Sequence, residues 1–95
     1  MNKIPHEERA KVYAMALDKF GAGNQMVVAI EEMSEVQKEI CKAIRGNVDL
    51  KHLAEEVADA TIMLEQIRLM YGINGEVCAV MDAKVERLRQ KIEQS

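Results

Sequence analysis

Apolar residues recur at three- and four-residue steps through four stretches of the chain, and a glycine ends each of the first three stretches. This spacing puts apolar side chains on one face of an α-helix. The three glycines are Gly21, Gly46 and Gly72. We therefore predict four helices, which cover residues 5–20, 24–45, 49–71 and 75–93.

The apolar positions also predict which face of each helix is buried. The second helix has a stripe made of Met26, Ile30, Met33, Ile40 and Ile44. The third helix has a stripe made of Leu50, Leu53, Val57, Ala60, Leu64 and Ile67. The fourth carries a heptad-like line made of Val77, Met81, Val85, Leu88 and Ile92, which is typical of helices that pair.

Polar residues at the predicted helix starts can accept hydrogen bonds from unpaired backbone N–H groups. Asn24, Asp49 and Asn74 stand at the starts of the second, third and fourth helices. We expect each of them to act as an N-cap.

The length and composition favour one all-α domain over residues 1–95. Hydrophobic residues make up 48% of the chain, yet its only aromatic residues are Tyr13, Phe20 and Tyr71. Such a core consists of aliphatic side chains, Met and Ala, which pack well between helices. A chain this short buries a small core by itself. We expect a four-helix bundle completed by oligomerisation, as a homodimer or a homotetramer.

The charge pattern argues against broad nucleic-acid binding, because the net charge is −3 and basic residues cluster only near the end of the chain. Cys41 and Cys78 have no CxxC spacing and are typical of reduced thiols, with a single disulfide as the alternative. No run of apolar residues approaches the length of a membrane span, and the start of the chain has no signal-type apolar core. We expect a soluble, cytoplasmic protein.

Two acidic steps dominate the middle of the chain, Glu32-Met33-Ser34-Glu35 and Glu56-Val57-Ala58-Asp59. Residues three apart lie on one face of a helix, so each step presents two carboxylates side by side. Both steps lie at similar distances from the turn at Gly46, so antiparallel helices bring them to the same height. Four inward carboxylates suit Mg²⁺ or Mn²⁺.

The alternative interpretation is a solvated acidic surface, which is the usual role of a single ExxE step on a helix. Two features favour a cation site over that alternative. The steps lie on consecutive helices, and Glu32 and Asp59 have no basic residue three or four positions away.

The residues around both steps resemble a known family. The segments Ala29-Ile30-Glu31-Glu32-Met33-Ser34-Glu35-Val36 and Leu53-Ala54-Glu55-Glu56-Val57-Ala58-Asp59-Ala60 are similar to the ExxE and ExxD motifs of MazG-like, all-α nucleoside triphosphate pyrophosphohydrolases. The later segment Lys84-Val85-Glu86-Arg87-Leu88-Arg89 resembles the basic segment of that family. Leu88 departs from the family pattern, in which many members carry Asn.

The resemblance implies Mg²⁺-dependent cleavage of a nucleoside triphosphate to the monophosphate and pyrophosphate, in nucleotide-pool housekeeping. The implied metal ligands are Glu32, Glu35, Glu56 and Asp59. Glu35 is the expected general base. Lys84, Arg87 and Arg89 are the expected phosphate contacts, and a solvated basic helix face is their alternative role.

The sequence does not identify the residues that would recognise the base. Tyr13, Phe20 and Tyr71 are candidates for stacking, although each could equally belong to the core. The rival function is a non-catalytic helical module that oligomerises or binds nucleotide in a regulatory role. The enzyme needs converging carboxylates and a divalent cation, whereas the module needs neither.

Overall fold

The computed structural model describes residues 3–95, and these residues form four helices and no strand. The helices are α1 (His6–Phe20), α2 (Ala22–Ile44), α3 (Leu50–Tyr71) and α4 (Asn74–Gln94). The all-α prediction is confirmed, and each predicted helix lies within two residues of its observed bounds. Over the described part of the chain, every helix is too short or too polar to cross a membrane.

The helix boundaries confirm one predicted cap and correct two. Asp49 caps α3, because its Oδ1 accepts a hydrogen bond of 3.1 Å from the backbone N–H of His52. The prediction for Asn24 was wrong, since α2 already begins at Ala22 and the Asn24 side chain donates back to the carbonyl of Phe20 at 2.8 Å. Asn74 makes no cap either; its Oδ1 accepts from Arg68 at 3.3 Å.

Helices α2 and α3 form an antiparallel hairpin, and this pair makes the most extensive contact in the fold. Helix α1 packs against both, whereas α4 packs only against α3 among the described residues. The radius of gyration is 16.1 Å, whereas a compact domain of this length has about 12 Å. The described chain is therefore open, with its fourth helix largely uncovered.

The buried side of α2 differs from the predicted stripe. Ile30, Ile40 and Ile44 are all exposed, and Ile44 retains 80% of its accessible surface. The residues that are buried on α2 are instead Ala29 and Glu39. The predicted stripe of α2 is therefore wrong in part: Ile30, Ile40 and Ile44 face outward, whereas Met26 and Met33 are half-buried.

The third helix shows the same displacement. Ala60 is buried as predicted, but the other buried residues of α3 are Met63 and Gln66. Leu50, Val57 and Leu64 follow one another at seven-residue steps and are exposed. By helical geometry, both exposed lines are rotated in the same direction along their own helix from the buried residues. Because the two helices are antiparallel, this rotation places both lines on one side of the hairpin. We call this surface the hairpin face, and its members are Ile40, Ile44, Leu50, Val57 and Leu64.

Candidate metal site

Three carboxylates from the two acidic steps come together between α2 and α3. Glu32 of α2 and Glu56 and Asp59 of α3 each present one oxygen, and these three oxygens lie within 4.8 Å of one another. We call this group the carboxylate cluster. Three oxygens at this separation can contact one small cation together, and oxygen ligands without sulfur suit Mg²⁺ or Mn²⁺.

Small residues beside the cluster explain how the two helices approach here. Ala29 lies one turn before Glu32 and is almost fully buried, and Ala60 follows Asp59 directly and is also buried. A methyl side chain on the inner side of each helix leaves little bulk between the backbones. The carboxylates of Glu32 and Glu56 are consequently half-buried at the helix contact, while Asp59 remains exposed at its edge.

The electrostatics of the cluster favour a positively charged partner. Burial raises the pKa of Glu32 above its usual value, and the negative charges of Asp59, Glu56, Glu35 and Glu31 raise it further, in that order. Among residues 3–95, no lysine or arginine forms an ion pair with a member of the cluster. His52 Nε2 lies 3.5 Å from Oε1 of Glu56, and a bound cation would offset the repulsion that remains among the carboxylates.

Glu35 lies outside the cluster. It is exposed on α2, one turn beyond Glu32, and its negative charge contributes to the raised pKa of Glu32. Its predicted roles as a fourth ligand and as the general base stay predictions.

The predicted phosphate contacts lie on α4, away from the extensive α2–α3 contact. Lys84, Arg87 and Arg89 are all exposed, and α4 makes no contact with α2 in the described chain. Arg89 forms an ion pair of 3.4 Å with Glu86 on its own helix. Their approach to a nucleotide held at the cluster stays a prediction.

Sequence reasoning missed a chain of polar contacts that reaches the cluster. Glu39 keeps only 3% of its side-chain surface exposed, and its Oε1 lies 2.9 Å from Nδ1 of His52. The other ring nitrogen of His52, Nε2, lies 3.5 Å from Oε1 of Glu56. His52 therefore links a buried carboxylate on α2 to a carboxylate of the cluster on α3.

The pKa values within this chain shift in opposite directions. The hydrogen bond from His52, followed by the contact with Lys42, holds the pKa of Glu39 below its usual value. The same bond with Glu39 raises the pKa of His52. Lys42 Nζ lies 3.1 Å from Oε2 of Glu39, an ion-pair distance, but this oxygen has no well-directed hydrogen bond. We therefore treat Lys42 as an electrostatic partner and His52 as the directional one.

The sequence spacing of these residues could have predicted the contact between Glu39 and His52. Glu39 follows Glu32 by seven residues, so both lie on one face of α2. His52 precedes Glu56 by four residues and lies in the first turn that Asp49 caps. An inward Glu32 therefore predicts an inward Glu39, which needs a partner from α3.

Comparison of the chain with protein-family models, with curated proteins and with solved structures found no match.

Proposed function

We propose that the protein hydrolyses a nucleoside triphosphate to the monophosphate and pyrophosphate with the help of Mg²⁺. The observation that carries the proposal is the carboxylate cluster: Glu32, Glu56 and Asp59 belong to the two motifs of the resemblance and meet at one point. Mn²⁺ is the expected substitute cation. The bond that is cleaved, between the α- and β-phosphates, rests on the resemblance to MazG-like enzymes.

In this proposal the cluster holds the cation, which supplies charge neutralisation for the phosphate oxygens. Glu35, exposed one turn along α2, accepts a proton from the water that attacks the α-phosphorus. The bond from the α-phosphorus to its bridging oxygen breaks, and pyrophosphate leaves with the electron pair. Lys84, Arg87 and Arg89 contact the phosphates.

We further propose that the chain acts as a homodimer or a homotetramer. Two exposed apolar surfaces support this: the hairpin face and the heptad-like line of α4. On the latter, Met81, Val85, Leu88 and Ile92 are all more than half exposed. Only Ala29, Ala60 and Met63 are buried apolar residues in the described chain, which is a small core for four helices. A second copy would supply the missing contacts.

A nucleotide panel tests the reaction. The protein is incubated with standard and damaged deoxynucleoside and ribonucleoside triphosphates and Mg²⁺, and the products are separated by ion exchange. We expect a monophosphate with pyrophosphate, and loss of turnover in Glu56→Gln. Glu55→Gln is the matched control, because Glu55 is exposed on the same helix and outside the cluster.

Two further results of the same panel would each count against the proposal. A diphosphate with orthophosphate would mean cleavage of a different bond. No turnover of any nucleotide would favour the non-catalytic helical module. Glu35→Gln adds a test of both predicted roles of Glu35. Loss of the general base should lower turnover at least about a hundredfold, and loss of the fourth ligand should also weaken Mn²⁺ binding.

A further inference from the structure

A groove lies between α1 and α3, and its lining residues Ala58, Thr61 and Ile62 flank Asp59 of the carboxylate cluster in the sequence of α3. Its volume is about 500 Å³, within the range of small-molecule sites. Its walls are largely apolar, and the side chains that form them include Ile4 and Val12 on one side and Ala58 and Ile62 on the other.

Gln66 is the unusual member of this groove. It retains only 5% of its accessible surface, and its Oε1 is buried without a hydrogen-bond partner among the described residues. Buried polar atoms in folded proteins are nearly always paired. Because Gln66 lines the groove, a ligand with an N–H or O–H donor bound there would supply the partner that the enclosed Oε1 lacks.

The other polar groups of the groove already have partners or lie at its rim. The hydroxyl of Tyr13 donates to the carboxylate of Glu65, and the hydroxyl of Thr61 donates to the carbonyl of Val57. Burial, followed by the hydrogen bond with Glu65, raises the pKa of Tyr13 to about 12, so its phenol stays protonated. Arg9 is exposed. Glu65 also lines the groove, and one of its carboxylate oxygens accepts the bond from Tyr13. The amide of Gln66 is the buried polar group of the groove whose oxygen has no partner among the described residues.

The position of Gln66 relates the groove to the cluster. Asp59, Ile62 and Gln66 follow one another at steps of three and four residues on α3, so they lie on one face of that helix. Seven residues of helix separate Asp59 from Gln66, or about 10 Å along the axis. A nucleotide has its phosphates and its base at opposite ends, so it can reach from the cluster into the groove.

We propose that this groove binds the nucleobase of the substrate and that the Gln66 amide hydrogen-bonds to the edge of the base. The inference rests on the proposed function, because it places the phosphates at the carboxylate cluster. A primary amide offers an acceptor and a donor side by side, and the edge of a nucleobase offers the complementary pair. The apolar walls contact the faces of the ring.

The test uses the side-chain amide resonances of Gln66 in ¹⁵N-labelled protein. Non-hydrolysable α,β-methylene deoxynucleoside triphosphates, one for each base, are added with Mg²⁺. We expect at least one of them to shift the Gln66 amide signals and to leave those of Gln37, an exposed glutamine of α2, in place. Gln66→Leu should weaken binding of that analogue at least about tenfold, the loss expected for a missing hydrogen bond to a buried group.

A matched variant and a measurement of Mn²⁺ affinity distinguish a lost ligand contact from a defect in folding or in the metal site. Gln66→Leu should fold, because it replaces an unpaired buried polar group by an apolar one of similar size, and its Mn²⁺ affinity should equal that of wild type. Gln37→Leu should change neither binding nor Mn²⁺ affinity. Analogue binding with unmoved Gln66 signals, or equal affinity in Gln66→Leu, would overturn the groove assignment.

The outcomes also separate this inference from the proposed reaction. Shifted Gln66 signals without hydrolysis of the natural nucleotides would retain the base site and reject the reaction. Hydrolysis with a base preference that Gln66→Leu leaves unchanged would retain the reaction and reject the base site. Gln66 signals that respond only to protein dilution would mean that a second copy covers the groove, and would reject the base site as well.

Discussion

Glu39 is the most buried charged side chain among the described residues, and its environment explains why it stays ionised. Removing a carboxylate from water is costly unless opposite charge and hydrogen bonds compensate. His52 supplies a hydrogen bond of 2.9 Å and Lys42 supplies a positive charge at 3.1 Å. A protonated His52 donates from both ring nitrogens, so it can bind Glu39 and face Glu56 at the same time.

The Glu39–His52 pair predicts a defined pH window of stability. Glu39 has a lowered pKa, so its contribution is present above the ordinary value of 4.5 and is lost as the pH falls through the lowered value. His52 has a raised pKa, so its contribution is present below 6.5 and is lost as the pH rises through the raised value. The pair therefore stabilises most between these two ordinary values.

Thermal unfolding of wild type and Glu39→Gln between pH 3 and pH 9 measures this effect. We expect the difference in Tm to be largest between about pH 4.5 and 6.5 and to shrink on either side. Glu55→Gln, an exposed control, should show no such window. A difference that grows steadily above pH 7 would contradict the account of the pair.

At the scale of the helices, Gly21 is the residue that separates α1 from α2. Its φ of 89° and ψ of 142° lie where residues with a Cβ are rarely found. One residue in this conformation turns the chain, so that α2 starts immediately at Ala22. The backbone N–H of Gly21 still bonds to the carbonyl of Leu17 at 3.0 Å, which closes α1.

Replacement by alanine should have opposite effects on stability at two glycines in this region. Gly21→Ala should lower the free energy of unfolding by about 1–3 kcal/mol, because alanine rarely adopts this positive φ, although there is space for its Cβ. Gly23→Ala should raise the free energy of unfolding by about 0.4–1 kcal/mol, since Gly23 lies inside α2 and an added Cβ would meet open space. Urea unfolding measures both. A loss in Gly23→Ala equal to that in Gly21→Ala would contradict this explanation.

The sequence predicted the four helices and the hairpin, but it did not predict the inward faces. Helical spacing and the turns at Gly46 and Gly72 were sufficient for the elements, because both signals are local. The inward face of α2 depends on what packs against it. Glu39 is stable inside only because His52 meets it, and that contact joins residues of different helices.

One part of the candidate site could be predicted from the sequence and another part could not. Glu32, Glu56 and Asp59 could be predicted to meet, because their spacing around the hairpin turn fixes their height. The groove at Gln66 could not, since it depends on where α1 crosses α3. Ile40 and Ile44 were predicted to be buried because they continue the apolar stripe of α2, and in the proposed oligomer a second copy covers them.

At the scale of the whole molecule, the described chain exposes many large apolar side chains, among them those of the hairpin face and of the line on α4. The hairpin face and the line on α4 are each long enough to pack against another helix pair. Apolar surfaces of this kind are typical of permanent subunit contacts.

Sedimentation equilibrium tests the assembly at micromolar concentration. We expect a dimer or a tetramer, and a Tm that rises with protein concentration. Leu64→Lys interrupts the hairpin face and Leu88→Lys interrupts the line on α4, so comparison of the two shows which surface holds the copies together. A single species of 10.7 kDa for wild type would contradict the prediction.

Electron paramagnetic resonance tests metal binding by the carboxylate cluster directly, because it measures free Mn²⁺ without any assumption about the substrate. We predict that wild type and Glu55→Gln bind Mn²⁺ alike and that Mg²⁺ competes. Glu32→Gln, Glu56→Gln and Asp59→Asn should each weaken binding at least about tenfold, the loss seen even for residues that only support a metal ligand. Wild type that leaves all Mn²⁺ free at millimolar concentration, or cluster variants that bind as well as wild type, would contradict the account.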